Sequence, residues 1–220
     1  IRIIRPLVFV RFGYFTVDRI GHFAFDIERY LPERRLNKVT RKTLDLFFFS
    51  GRPANEQLLK MSLRTLNVHP VVELLYLANN IFPFGRKHKI FPARIETESR
   101  DLLGVFNRVE TQIGFNPDED EIGEKYIESL GLDSSSRYVC VMVRDSAYLE
   151  SIDGRRDWSY HNFRDTEIES YKMAVLALAE RGYWVFRMGK TVHSGLSLVH
   201  PRVVDYATSR YRSDFLDIWL

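Results

Sequence analysis

Residues 138-YVCVMVRDSAYL-149 decide how the second half of the chain is read. Tyr138 to Val143 is a short run of apolar and β-branched residues, of strand length and patterned for burial on both faces. It stops at Arg144, Asp145 and Ser146, a fixed cation, an acid and a hydroxyl. Upstream lies 133-DSSSR-137, a linker by composition, and downstream a polar loop, 150-ESIDGRRDWSYHNFRD-165. Thr166 and Glu169 then have the spacing of a capping box ahead of Ile168, Tyr171, Val175 and Leu178, and Gly182 is placed to close that helix. A second apolar run follows at 183-YWVFRMG-189. Strand, helix and strand within roughly 50 residues make a βαβ unit, whose strands are parallel because the helix carries the chain back. The stretch 202-RVVDYAT-208 reads as a third strand and 213–220 as the start of a helix.

The first half repeats the alternation. A strand is expected at 6-PLVFVRF-12, then Gly13, then a helix over 18-DRIGHFAFDIERYL-31 with Phe23, Ile27, Tyr30 and Leu31 at helical spacing. A second strand, 44-LDLFFFS-50, precedes a helix over 51–67 with Pro53 in its first turn, and another helix over 69–82. The segment 116-NPDEDEIGEKYIESLGL-132 reads as an acidic helix start ending at Gly131. These elements divide the chain into two α/β domains, 1–133 and 134–220.

Composition sets bounds. A chain of 220 residues with 45% hydrophobic content is ample for a real core. Thirty-two basic against 29 acidic residues give a net charge of +3, too even for a nucleic-acid-binding stripe. Cys140 is the only cysteine, which excludes an internal disulfide and cysteine-based metal sites and fits a reducing compartment. No apolar run approaches the ~18–20 residues of a membrane span. The opening IRIIRPLVFVRF reads as a buried strand rather than a signal peptide. The chain starts at Ile1 and stops at 214-DFLDIWL-220 inside an apolar run, the pattern expected of a segment of a longer protein.

Four places carry chemistry. Arg144 follows its strand directly, and in an open parallel sheet ligands sit outside the carboxyl ends of the strands. A guanidinium there holds a phosphate with two parallel hydrogen bonds, and Ser146 adds a hydroxyl; an Arg144–Asp145 pair that merely solvates a strand end fits equally well. In 187-RMGKT-191 the P-loop reading fails because Trp184 stands where the first glycine is needed, which leaves Arg187 and Gly189 on the same rim as Arg144. Gly21 lies between the first strand and its helix, where backbone can approach a ligand. His22 is placed to act as a general base or simply to face solvent at a helix end. The loop 154-GRRDWSYHNFRD-165 interleaves aromatics with charge, as sugar-stacking surfaces and self-packed loops both do. No HExxH, GxSxG or GxGxxG pattern is present.

The blocks RIGHFAFDIERYLPERR, FFFSGRPANEQLLKM, VMVRDSAYL, DWSYHNFRDTEIESY, GYWVFRMGK and HPRVVDYATSRYRSDFLDIWL resemble a family of bacterial glycosyltransferases linked to surface-carbohydrate gene clusters. The likeness covers most of the chain and is strongest over 138–220. It implies a GT-B architecture of two Rossmann-like domains. Domain 1–133 would take the acceptor. Domain 134–220 would take the nucleotide-sugar, with a further strand and a Ser/Thr-Gly-rich turn beyond Leu220. A weaker likeness is to fucosyltransferase-like GT-B enzymes, whose HxR arginine holds the donor pyrophosphate. Arg144 matches that arginine, whereas Met142 stands where the histidine would be, which puts a GDP-fucose donor in doubt.

The resemblance thus implies a metal-independent transferase without a cofactor, the nucleotide-sugar being a substrate. Its partners would be that donor and a carbohydrate or glycolipid acceptor, and not nucleic acid. Polysaccharide biosynthesis in the cytoplasm is the implied setting, and peripheral attachment to the inner membrane is compatible with it. The implied donor-binding residues are Arg144, Asp145, Ser146, Arg187, Gly189 and Asp214. Gly21 and His22 would stand on the acceptor side, and Arg144 and His22 would be the catalytic groups. The alternatives are a non-catalytic nucleotide- or carbohydrate-binding protein of the same architecture, or a plain interaction module.

Overall fold

Eight residues of alternating burial, Phe9–Thr16, form β1 at the centre of the first of two parallel sheets in the computed structural model, which describes residues 5–36, 42–92 and 100–220. The first four residues of the opening run lie outside that range, and Pro6 and Leu7 sit in a turn before the strand. β1 runs past Gly13, which is therefore a strand residue rather than part of a loop. A Cβ at Gly13 would lie 2.7 Å from the Phe47 ring and 3.0 Å from Ile90, so the glycine lets the flanking strands close in.

Helix α1 (Ile20–Leu36) returns the chain to β2 (Thr43–Ser50), parallel to β1 from Phe9↔Thr43 to Thr16↔Ser50. α2 (Glu56–Thr65) starts after the Asn55 cap, whose side chain accepts from Leu58 N at 2.8 Å, so Pro53 precedes the helix instead of opening it. α3 is short, Val71–Ala78. β3 (Lys89–Ile90) pairs with β1 on its other side, giving the order β2-β1-β3. One face of this sheet packs Val10, Phe12 and Phe48 against Val72 of α3. The other presents Phe15, Phe47 and Phe49 to Phe23 and Tyr30 of α1, with ring centroids 4.9–6.5 Å apart.

The chain divides into two compact units, Ile1–Phe115 and Asn116–Leu220. The division falls earlier than the expected 133/134, because α4 (Pro117–Ser129) packs with the second unit. Tyr126, Ile127 and Leu130 join Phe186, Tyr206 and Leu216 in one core, and Gly123 lies so close under Trp219 that a Cβ there would clash. α4 has the expected acidic start. Asn116 and Glu119 form a capping box, and Gly131 ends the segment in a left-handed conformation at φ 90°.

The second sheet has the order β4-β5-β6, all parallel: β4 (Tyr138–Met142), β5 (Trp184–Met188) and β6 (Val203–Val204). The βαβ expectation holds, and the chain is α/β. β4, however, is an edge strand with Cys140 and Met142 exposed, not a strand buried on both faces. Helix α5 (Ala147–Ile152) occupies the start of the expected polar loop, and α6 (Lys172–Glu180) is the crossover helix, closed by Gly182 at φ 92°. The Thr166–Glu169 box does not form. Glu169 instead accepts from Ser197 N at 2.7 Å, and α6 is entered through a short 3-10 turn. β6 is cut to two residues because Asp205 leaves the ladder to bond other groups. Helix α7 (Leu216–Trp219) ends the chain.

Candidate functional site

The carboxyl ends of β4 and β5 gather most of the residues singled out above. Arg144 lies just past β4 with its side chain 36% exposed, and its Nε is 3.1 Å from Asp165 Oδ1. Its carbonyl accepts from Thr166 N at 2.9 Å, which holds the backbone at the strand end. Among the described residues its terminal nitrogens make no hydrogen bond, and the contact with Asp165 is an ion pair rather than a hydrogen bond. Arg144 is thus anchored by one edge of its guanidinium, with the other edge open for a bidentate acid or phosphate.

Asp145 is occupied by backbone. Oδ1 accepts from Ala147 N at 3.1 Å, fastening the start of α5, and Oδ2 accepts from His193 N at 3.0 Å. Ser146 Oγ donates to Glu150 Oε1 at 2.5 Å and lies 2.9 Å from Nε2 of His193. His193 Nε2 is also 3.6 Å from Glu150 Oε2, and both side chains are about half exposed. With its one proton directed to Glu150, the Ser146 hydroxyl accepts from an Nε2–H of His193. In that tautomer His193 donates to Ser146 and does not activate it as a nucleophile.

The loop between β5 and β6 that carries His193 is tied down from several sides. Arg187 NH2 donates to Ser194 O at 2.9 Å, Leu196 N donates to Asp205 Oδ2 at 2.9 Å, and Asp145 and Glu169 hold His193 N and Ser197 N. Arg187 is therefore not a rim cation. It lies inside β5, its side chain is 2% exposed, and NH1 sits 3.3 Å from Asp205 Oδ1. Alternation explains the position: Arg187 shares the face of Val185, which packs in the α6 core.

Gly189 likewise serves the turn. A Cβ there would come within 2.6 Å of Val192, at φ 155°. Asp214 is held by Lys190 Nζ at 3.0 Å and by Arg212 at 2.6 Å. Burial pulls the Arg212 guanidinium down, but its bonds to Asp217 and Asp214 outweigh that and hold it above its ordinary value. In the aromatic loop, Trp158 is buried and bonds Asp153 O at 2.9 Å, whereas Phe163 is exposed.

In the first unit, Gly21 is the second residue of α1, exposed, with nothing near the position of a Cβ, so no close approach of backbone requires it. His22 is half-buried on the same turn. A cavity of ≈ 520 Å³ lies elsewhere in this unit, over Tyr30, Arg34, Asp45, Asn67 and Gln112. Asp45 is fully buried there and bound by Arg11 through two bonds of 2.7 and 2.8 Å, by Tyr30 Oη at 2.6 Å, and by Arg34. The hydrogen bond to Asp45 raises Arg11 despite its burial, and burial first, then Asp45, raises the Tyr30 hydroxyl. Asp45 is not singled out in the sequence, and Tyr30 is read there only as part of a helix's apolar face. A lone acid opening an aromatic strand, LDLFFF, is the only signal Asp45 leaves.

Among the described residues no group of three or more His, Cys, Asp or Glu is placed to hold a metal ion, and no helix is long and apolar enough to cross a membrane. His193 was also missed. It sits two residues past the failed P-loop 187-RMGKT-191, and its signal is position alone: a titratable side chain a few residues past a βαβ strand. The chain matches no family model, no curated protein and no solved structure.

Proposed function

We propose that the chain is a glycosyltransferase of GT-B type, taking a sugar from a nucleotide-sugar and giving it to a hydroxyl acceptor of a carbohydrate or glycolipid in surface-polysaccharide synthesis. The observation that carries this reading is the guanidinium of Arg144, anchored by Asp165 through Nε at a parallel sheet's carboxyl edge, with its terminal nitrogens open. Transfer breaks the bond between the anomeric carbon and the diphosphate oxygen and forms one to the acceptor oxygen. The acceptor's proton must go to a base, and negative charge accumulates on the departing diphosphate. Arg144 meets that charge with two N–H donors. His22 of the first unit is the histidine proposed to take that proton. Asp145, Arg187 and Gly189 act in this reading through the loop they hold, as positioning residues.

The test is release of free nucleotide and formation of glycoside by the full product of the gene, over a panel of nucleotide-sugars. Arg144→Ala is expected to lower kcat/KM by about 30- to 1,000-fold, the equivalent of ~2–4 kcal/mol for a lost oxyanion donor. Unchanged turnover in that variant, or binding of a donor that is never cleaved, overturns the proposal.

A further inference from the structure

Helix α3 is turned inside out for a surface helix. Val72 and Tyr76, four residues apart, are its sheet-facing residues. Val72 is buried with Val10, Phe12 and Phe48, and the Tyr76 ring sits 5.6 Å from those of Tyr14 and Phe48. The rest of the helix should then be polar. Instead Leu74 is 66% exposed and Leu77 53%, and in the turn that follows Ile81 is 82%, Phe82 56% and Phe84 74% exposed. That turn is held in place: Asn79 Nδ2 donates to Gly85 O at 2.8 Å, and a Cβ at Gly85 would strike the Asn79 carbonyl at 2.1 Å. Phe84 itself is kept at φ 62°, a conformation unfavourable for a side chain with a Cβ. A fixed display of large apolar side chains does not stabilise the unit in water and marks a surface that something covers.

The charge beside the display identifies the cover. From Val71 to Ile90 the only acid is Glu73, whereas Arg86, Lys87 and Lys89 follow the apolar turn directly. The Lys87 ammonium lies 5.6 Å over the exposed Phe84 ring and so borders the display directly, and that of Lys89 lies 4.0 Å over the ring of the sheet-facing Tyr76. Apolar side chains flanked by bases with long flexible stems match a bilayer interface, where the rings and leucines enter the acyl boundary and the cations meet anionic headgroups. We infer that α3 and residues 79–89 form a peripheral docking surface for a membrane bearing anionic lipids. This inference uses none of the residues proposed for the transfer step.

Co-sedimentation with vesicles tests it. The full chain is expected to bind vesicles of phosphatidylcholine mixed with phosphatidylglycerol about tenfold or more tightly than phosphatidylcholine alone, a preference that salt erases. Leu74→Asn combined with Phe84→Asn should weaken binding by about tenfold or more while the circular dichroism spectrum stays that of the parent. Hydrogen exchange on the unmodified protein gives a reading that needs no variant: phosphatidylglycerol vesicles should slow exchange over 71–89 and leave the second unit unchanged. The inference is overturned by absence of binding to the anionic vesicles, by protection that falls elsewhere, or by a folded double variant that binds as well as the parent. It is equally overturned if light scattering shows a dimer that the double variant abolishes and no vesicle binding, because the surface then belongs to a second copy.

Discussion

Arg144 and Arg187 leave neighbouring parallel strands in the same direction along the chain, and both look from sequence like cations at the carboxyl edge. They do opposite work. Arg187 is inside β5, on the face that packs under α6, and its guanidinium is consumed by Asp205 and the Ser194 carbonyl. Arg144 is beyond the last ladder pair of β4, Met142↔Met188, and is tethered by one nitrogen. A displacement of three residues in register, from one before the last ladder pair to two after it, separates a cation that builds the loop from one at the rim. The strand period, not the residue type, decides between them.

The comparison breaks first at Arg187. Arg187→Met removes one partner of a buried pair and leaves Asp205 facing an apolar stem, so folding stability should fall by about 3 kcal/mol or more, read from urea unfolding. Arg187→Met with Asp205→Leu should recover part of that loss, because replacing both charged partners removes the orphaned carboxylate. A midpoint unmoved by the single change would put Arg187 back on the surface. Gly189→Ala comes next. Its Cβ would press on Val192 at 2.6 Å, and the expected loss is roughly 1–3 kcal/mol, as for an overpacked site. Alanine tolerated without loss would show that the turn yields and that the glycine has another purpose.

The elements that sequence made legible are those whose signals are local. The runs at 44–50, 138–142 and 184–188 are strands because their apolar and β-branched content has no competing turn residues. Asn116, Gly131 and Gly182 mark helix ends because caps need only neighbouring backbone. What was not legible depended on partners distant in the chain. Gly13 reads as a loop residue until Phe47 is placed against it. Glu169 reads as a cap until Ser197 competes for its carboxylate and wins.

The site shows the same divide. The rule of strand ends picks out Arg144, Asp145 and Ser146 at the edge of β4, whereas Asp145, Ser146, Arg187, Gly189 and Asp214 are all engaged by the loop and its neighbours, and His193 leaves no motif to be read. The apolar stretch 69–82 was rightly helical, yet no periodicity reports that only Val72 of α3 is buried.

On the exposed side of the comparison the expected effects are small. Arg144→Met should change folding stability by less than about 1 kcal/mol, since its pair with Asp165 is partly solvated. A loss as large as that of Arg187→Met would mean that the rim cation is structural too, and the contrast between the two arginines would disappear.

The finest test is the tie that holds the far end of the His193 loop. The Ser197 N–H, with burial opposing it, holds the Glu169 carboxyl below the usual glutamate range. A carboxylate whose pKa is lowered by folding adds stability that is whole above its unfolded value and is lost as the pH falls through the lowered one. Glu169→Gln should therefore bring the mutant and parent stabilities together in acid and separate them, by a small margin, at neutral pH. Acid titrations of the two proteins by circular dichroism measure that margin directly. A constant gap at every pH would mean that Glu169 contributes through packing alone and that the loop bearing His193 is held from the β4 side, by Asp145 and Arg187, and not from the start of α6.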